Sequence, residues 1–233
     1  MNDSTVNSTA GTRRPQQGGP PLVVLAAISF VLFIGGLAIG AAVGGIPPLP
    51  FAADAVVDYV GAHSVAVQAA AVGTFGASVP LGIYAATASA RLRQLGVTAP
   101  GATIALAGGV LAAGALGLCG LLMWALSRPE VAADASLVSA LYYLVFLTGG
   151  PGHVVALGLL VAGIAVPALI LDLLPKWLAW SGLVIAAIAE LTTLVLIWPG
   201  LSPLVPAGRF PALVWLIVAG AMLPLQRRRR GET

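Results

Sequence analysis

The stretch from Thr148 to Trp198, TGGPGHVVALGLLVAGIAVPALILDLLPKWLAWSGLVIAAIAELTTLVLIW, decides the fold. It holds two apolar segments joined by Leu174-Pro175-Lys176-Trp177, with one carboxylate, Glu190, inside the second. Each segment is long enough, at about 1.5 Å per helical residue, to cross a hydrocarbon core of about 30 Å. The chain around them reads the same way. Only 8% of its residues are charged and 59% are hydrophobic, so a soluble domain of this size could not clothe its surface in polar side chains. Its solvent must be lipid. A strand-built barrel would alternate polar and apolar residues, and these runs do not.

Residues 1–21 are rich in Ser, Thr, Asn, Gly and Pro without apolar periodicity, and are expected to be a disordered tail. Six membrane spans follow, at about 22–46, 64–90, 102–126, 153–174, 177–198 and 210–226, with a short basic tail at 227–233. Gly36, Gly40 and Gly44 in the first span, and Ala105, Gly109, Ala113 and Gly117 in the third, recur every four residues. Such stripes of small residues let neighbouring helices approach closely. Pro80 should bend the second span, because proline removes an amide and clashes with the preceding turn. Pro47, Pro48 and Pro50 end the first span, and Asp54 and Asp58 then alternate with apolar residues in an amphipathic surface helix near 51–62.

Between Asp134 and Asp172 there is no charge for 37 residues, about 55 Å as one helix. The run must break, and Gly149-Gly150-Pro151-Gly152 is the place. Charge distribution then favours treating 135–148 as a second short outer-face helix, lying on or dipping into the bilayer, rather than as a seventh span. With six spans, Arg13, Arg14, Arg91, Arg93, Lys176 and Arg227 to Arg230, nine of the 11 cations, share one side, and Arg128 and Arg209 lie opposite. Cationic loops stay in the cytoplasm, so both termini are expected inside. Trp177, Trp180 and Trp198 bracket the fifth span as interfacial indoles do. The four arginines directly after the last span read as a membrane anchor touching anionic lipid, and no nucleic-acid partner is expected.

Glu190 is the residue to which the sequence points first, since a carboxylate in hydrocarbon is costly and usually faces a bundle interior or a cavity. With Gly182 and Ala186 before it and Thr193 after it, it is expected to face inward. Gln68 and Thr74 are possible partners on the second span. His63 and His153 open the second and fourth spans at the outer face, where two histidines could hold a haem or take part in quinone chemistry. No metal site is expected, and no cofactor beyond that weaker haem reading. The lone Cys119 can form no intrachain disulfide. Phosphate-binding loops, zinc-protease helices and nucleophile elbows are all missing, so no catalytic residue is assigned.

The segments at 79–97, 146–170 and 173–196, with Gly208-Arg209-Phe210-Pro211 opening the last span, resemble a family of uncharacterised bacterial multi-spanning membrane proteins known only as a domain of unknown function. The resemblance implies a bacterial cytoplasmic membrane and no particular chemistry. Three functions stay open. The first is a helical bundle that binds a lipid, a small apolar ligand or a membrane partner, including a second copy through the glycine-rich faces. The second is a proton- or ion-coupled transporter using Glu190, and the third a haem or quinone protein using His63 and His153.

Overall fold

A computed structural model describes residues 20–98 and 100–224; the expected tails, with Arg13, Arg14 and Arg227 to Arg230, lie outside the described residues. Among the described residues every regular element is helical. In chain order these are α1 (Leu22–Gly44), α2 (Ala53–Ala62), α3 (Ser64–Gln94), α4 (Gly101–Leu126), α5 (Pro129–Ala132), α6 (Ala135–Leu147), α7 (His153–Ile170), α8 (Lys176–Leu191) and α9 (Leu204–Met222). Six of the helical runs are long and apolar enough to cross a membrane: Leu22–Gly44, Ser64–Gln94, Gly101–Leu126, Ala135–Ile170, Lys176–Leu196 and Pro199–Met222. The protein is an all-α bundle of six such rods.

The rods alternate in direction, so the bundle has an Arg91 end and an α2 end. At the Arg91 end α9 closes on α1, where a Cβ added to Gly220 would meet Leu22 and Val23 at about 3.0 Å. Lipid tails are as apolar as leucine, so helices in a membrane associate by close packing and hydrogen bonds rather than by escape from water. Both are present. The stripe on α1 is used within the chain: a Cβ on Gly36 would come 2.7 Å from the Gly73 Cα of α3, and one on Gly40 3.0 Å from the Ala66 carbonyl. Helix α4 lies centrally, as its own stripe implies. Gly109 abuts Ala85 of α3, and on its other side Gly108 leaves only 2.6 Å between an added Cβ and the Leu160 nitrogen of α7.

Hydrogen bonds between rods join side chains to carbonyls. Ser29 donates to Ala77 at 2.8 Å, Ser89 to Ala102 at 2.7 Å, Tyr84 to Leu216 at 3.0 Å and the Trp215 indole to Leu178 at 2.8 Å. Gly182 makes room for that indole, since a Cβ there would lie 2.6 Å from the ring. Helix α3 continues through Pro80 without a break in its assignment.

Helix α2 forms where expected. Its spacing turns Val56 and Val60 inward and leaves Asp54 and Asp58 exposed. The helix expected over 135–148 is also present, as α6, but it does more than decorate a surface. Cys119 meets Val145 and Gly149, Ala112 meets His153, and Gly101 meets Pro167, so α6 and α7 run antiparallel to α4 as one continuous rod. Val138 extends this rod to Leu126 at the α2 end, where both join a small core with Val56, Val60 and Val67. The break falls inside the rod, in a widened turn at Thr148–Gly152 where Gly150 leaves helical geometry (φ −83, ψ −108). Helix α7 ends in a reversed turn at Asp172, whose positive φ of 51 an aspartate tolerates, with the Leu173 amide bonding back to Ala168 at 2.9 Å. Asp172, Trp177, Trp180 and Trp198 are exposed.

Candidate functional site

The widened turn sets up the site. In a regular α-helix the His153 amide would bond the Gly149 carbonyl; here it bonds Thr148 and Gly150 instead. The Gly149 carbonyl is taken by a guanidinium from another rod, Arg209 Nη2. Helix α9 starts at Leu204, so Arg209 stands in its second turn, on the side that buries Val205, Gly208 and Ala212. The Arg209 guanidinium carbon lies 5.2 Å from the centroid of the Phe33 ring, a cation–π arrangement from α1.

A guanidinium has five N–H donors. Among the described residues, Arg209 places one bond on Gly149, and its Nε is buried with no hydrogen-bond partner. Among the described residues no counter-ion offsets the charge from within. Of the eight acidic residues, six are described (Asp54, Asp58, Glu130, Asp134, Asp172 and Glu190), and all six are exposed. An uncompensated charge held among apolar side chains is costly, which is why such groups are ordinarily paired.

Arg209 forms part of the wall of a cavity of about 300 Å³. The cavity runs from Arg209 and Phe33 to the loop Pro47–Pro50 at the α2 end, between α1, α3, α4, α6 and α9. Leu37, Val67, Leu116 and Met123 make its sides apolar, with Thr74 and Cys119 as small polar exceptions. Its roof is tied down by tyrosines: Tyr142 donates to the Pro48 carbonyl at 2.7 Å, and Tyr59 reaches the Gly45 carbonyl at 3.5 Å. Phe51 adds edge contacts to Tyr143 and Phe146 at 6.3 and 5.6 Å between ring centres. Burial raises the pKa of the Tyr59 phenol at this end of the chamber. The chamber is therefore an apolar slot with one cation at its inner end.

The chain matches no family model, no curated protein and no solved structure. The family that the sequence resembles is accordingly not identified by comparison, and function must be argued from the geometry.

Of the candidate site residues Glu190, Gln68, Thr74, Thr193, His63 and His153, Thr74 alone lines the chamber, buried at 2% exposure. Gln68 is half-buried on α3 and takes no part in its wall. Glu190 does not face inward: it is exposed, with its carboxylate beside Gly158 at the rim between α7 and α8. The reason is angular. Each residue turns a helix by about 100°, so two steps of four carry Glu190 about 80° away from Gly182, whereas seven residues bring Ala189 back to within about 20°. Ala189 is the residue that is fully buried. The helix then tightens to a 3₁₀ turn at Thr192–Leu196, which turns Thr192 in and Thr193 out into a lipid-facing groove on α4 and α7.

The two histidines are not brought to one level. His63 sits at the junction of α2 and α3, its ring 5.0 Å from that of Tyr59 and its Nδ1 3.2 Å from the Tyr59 carbonyl. His153 is buried inside the rod and not at the outer face, its Nδ1 donating to the Ala112 carbonyl at 2.9 Å. Ala112 is 14 residues from the Leu126 end of α4, or about 21 Å. Among the described residues no three His, Cys, Asp or Glu side chains cluster as metal ligands.

Sequence reading passed over Arg209 because it ended the last loop there and began the span at Phe210. The signal that finds it is the same spacing rule applied further back. Val205, Ala212, Leu216 and Ala219 share a helical face, and Arg209 lies four residues after the first and three before the second.

Proposed function

We propose that the protein is a membrane-embedded binding protein that takes a small, mainly apolar molecule into the chamber between α1, α3, α4, α6 and α9. The observation that carries this reading is a space of about 300 Å³ within the bundle, beside seams such as Gly36 against Gly73 and Gly108 against Leu160 that leave no room for a methyl group. Space of this size sits at the lower end of the range for small-molecule sites, and its few polar groups on apolar walls match their usual composition. The break at Thr148–Gly152 and the loop Pro47–Pro50 hold the helices apart where tight stripes would otherwise close them.

Native mass spectrometry of the protein released from membranes tests the reading. A small molecule of defined mass should accompany the wild-type chain and be lost when Ala70→Met fills the chamber. Retention of the same adduct by that variant would place the molecule elsewhere and remove the proposal. The chain's location follows from the charge bias and the resemblance noted above: a bacterial cytoplasmic membrane with both termini inside. Reporter fusions after residue 233 and within the Pro199–Arg209 segment check it, and an external C-terminal reporter would reverse the orientation.

A further inference from the structure

We infer that the ligand is an oxyanion on a short alkyl chain, held by its charged head against Arg209 with its tail along α1, α3 and α4. This inference rests on the chamber being a binding site, and it adds the chemical class of the occupant. Three observations converge on it. First, Arg209 is in the chamber wall with a buried, unpartnered Nε, while every described carboxylate is exposed. The charge has no partner of opposite sign within the described protein, so a ligand that brings one relieves a cost already present in the fold. Second, the guanidinium is held in place before any ligand arrives, by the Gly149 carbonyl on one side and the Phe33 ring on another. A planar donor fork of fixed orientation suits carboxylates and phosphates, which accept two parallel hydrogen bonds. Third, beyond the head the walls are Leu37, Val67, Leu116 and Met123, which offer contact to methylenes and few donors or acceptors.

Size narrows the tail. Taking about 30 Å³ for each water-sized group, the chamber has room for about ten non-hydrogen atoms. An eight-carbon fatty acid has that number. Its carboxylate would meet the Arg209 guanidinium, and Thr74 of α3 and Cys119 of α4 also line the chamber as small polar contacts.

The test uses the full chain in nanodiscs of neutral phosphatidylcholine, with calorimetric titration of octanoate, pentyl phosphate, which matches it in non-hydrogen atoms, and the uncharged isostere octanamide. At least one of the two anions should bind at least tenfold more tightly than the amide, and the tighter of the two identifies the head as carboxylate or phosphate. Arg209→Gln should erase the preference, and Arg209→Lys, which keeps the charge without the fork, should retain only part of it. Equal affinity of wild type for anions and amide would overturn the anionic assignment while leaving the chamber as a binding site. Failure of all three to bind would remove both. Because the decisive comparison is made on the wild-type chain, poor folding of the arginine variants does not blunt it.

Discussion

The seam where α4 crosses α3 and α7 and the chamber beside α1, α6 and α9 are made from the same residue types. Both use glycine, alanine and leucine; the outcomes are opposite. In the seam, Gly108 and Gly109 meet α7 and α3 so closely that a single added carbon would collide with a neighbour. Along the chamber the contacts are uneven: an added Cβ on Gly40 would lie 3.0 Å from the Ala66 carbonyl, whereas Gly150 has its nearest side-chain atoms at 3.8 Å, beside a cavity of about 300 Å³. Small residues permit closeness without enforcing it. What separates the two regions is backbone geometry: regular helices close the seam, whereas a widened turn and a proline-rich loop prop the chamber open.

The strongest way to break this comparison is to add volume on both sides of it. Gly108→Val places branched carbons where a Cβ would already lie 2.6 Å from the Leu160 nitrogen, so α4 and α7 must separate. A loss of about 3 kcal/mol or more is expected, at the upper end for overpacking, visible as loss of monodisperse protein on size exclusion and as an early thermal transition. Wild-type behaviour from that variant would show that the seam is not tight. Ala70→Met adds the same three non-hydrogen atoms beyond its starting side chain, but at a residue that lines the chamber. Its thermal midpoint should stay close to that of wild type, while ligand affinity drops about a hundredfold or more, about 2.8 kcal/mol, so that the bound molecule is lost. Equal damage to stability in the two variants would erase the distinction drawn here.

A smaller effect sharpens the picture of the roof. Tyr142→Phe removes the hydrogen bond to the Pro48 carbonyl and should cost about 1 kcal/mol. More diagnostic is where the loosening appears. Hydrogen exchange should quicken at the Leu49 and Phe51 amides and stay unchanged in α4 and α7. Uniform exchange across the bundle would mean that the tyrosine supports the whole fold instead of one loop.

The six rods, α2 and the stripe contacts were legible in the sequence because each depends on short-range composition: run length, spacing of glycines and position of prolines. The chamber was not, because it depends on which faces meet across rods. Gly149-Gly150-Pro151-Gly152 was readable as a break, yet a break can separate two elements or widen one. Only the antiparallel pairing of α6 and α7 with α4 shows that it does the second. Glu190 drew attention because a lone acid stands out in an apolar run, while Arg209 was read only as a loop cation, at a boundary drawn six residues too late for α9. That offset, between one and two helical turns, hid the charge that lines the cavity.

Those two residues give the finest test of the comparison. Glu190 is exposed at the α7–α8 rim, bonded to no described side chain, and the Ala189 beside it supplies the buried contact. Replacing its carboxylate with an amide of the same shape therefore changes neither packing nor the chamber. Glu190→Gln should leave the thermal midpoint within the change expected of about 0.5 kcal/mol and leave octanoate affinity unaltered. Arg209→Gln makes the same kind of change, a charge exchanged for an amide, yet it should abolish the preference for anions. If the glutamate variant instead lost binding, the electrostatics of the site would extend from the chamber across α7 to the rim, and Glu190 rather than Arg209 would again be the residue around which function is organised.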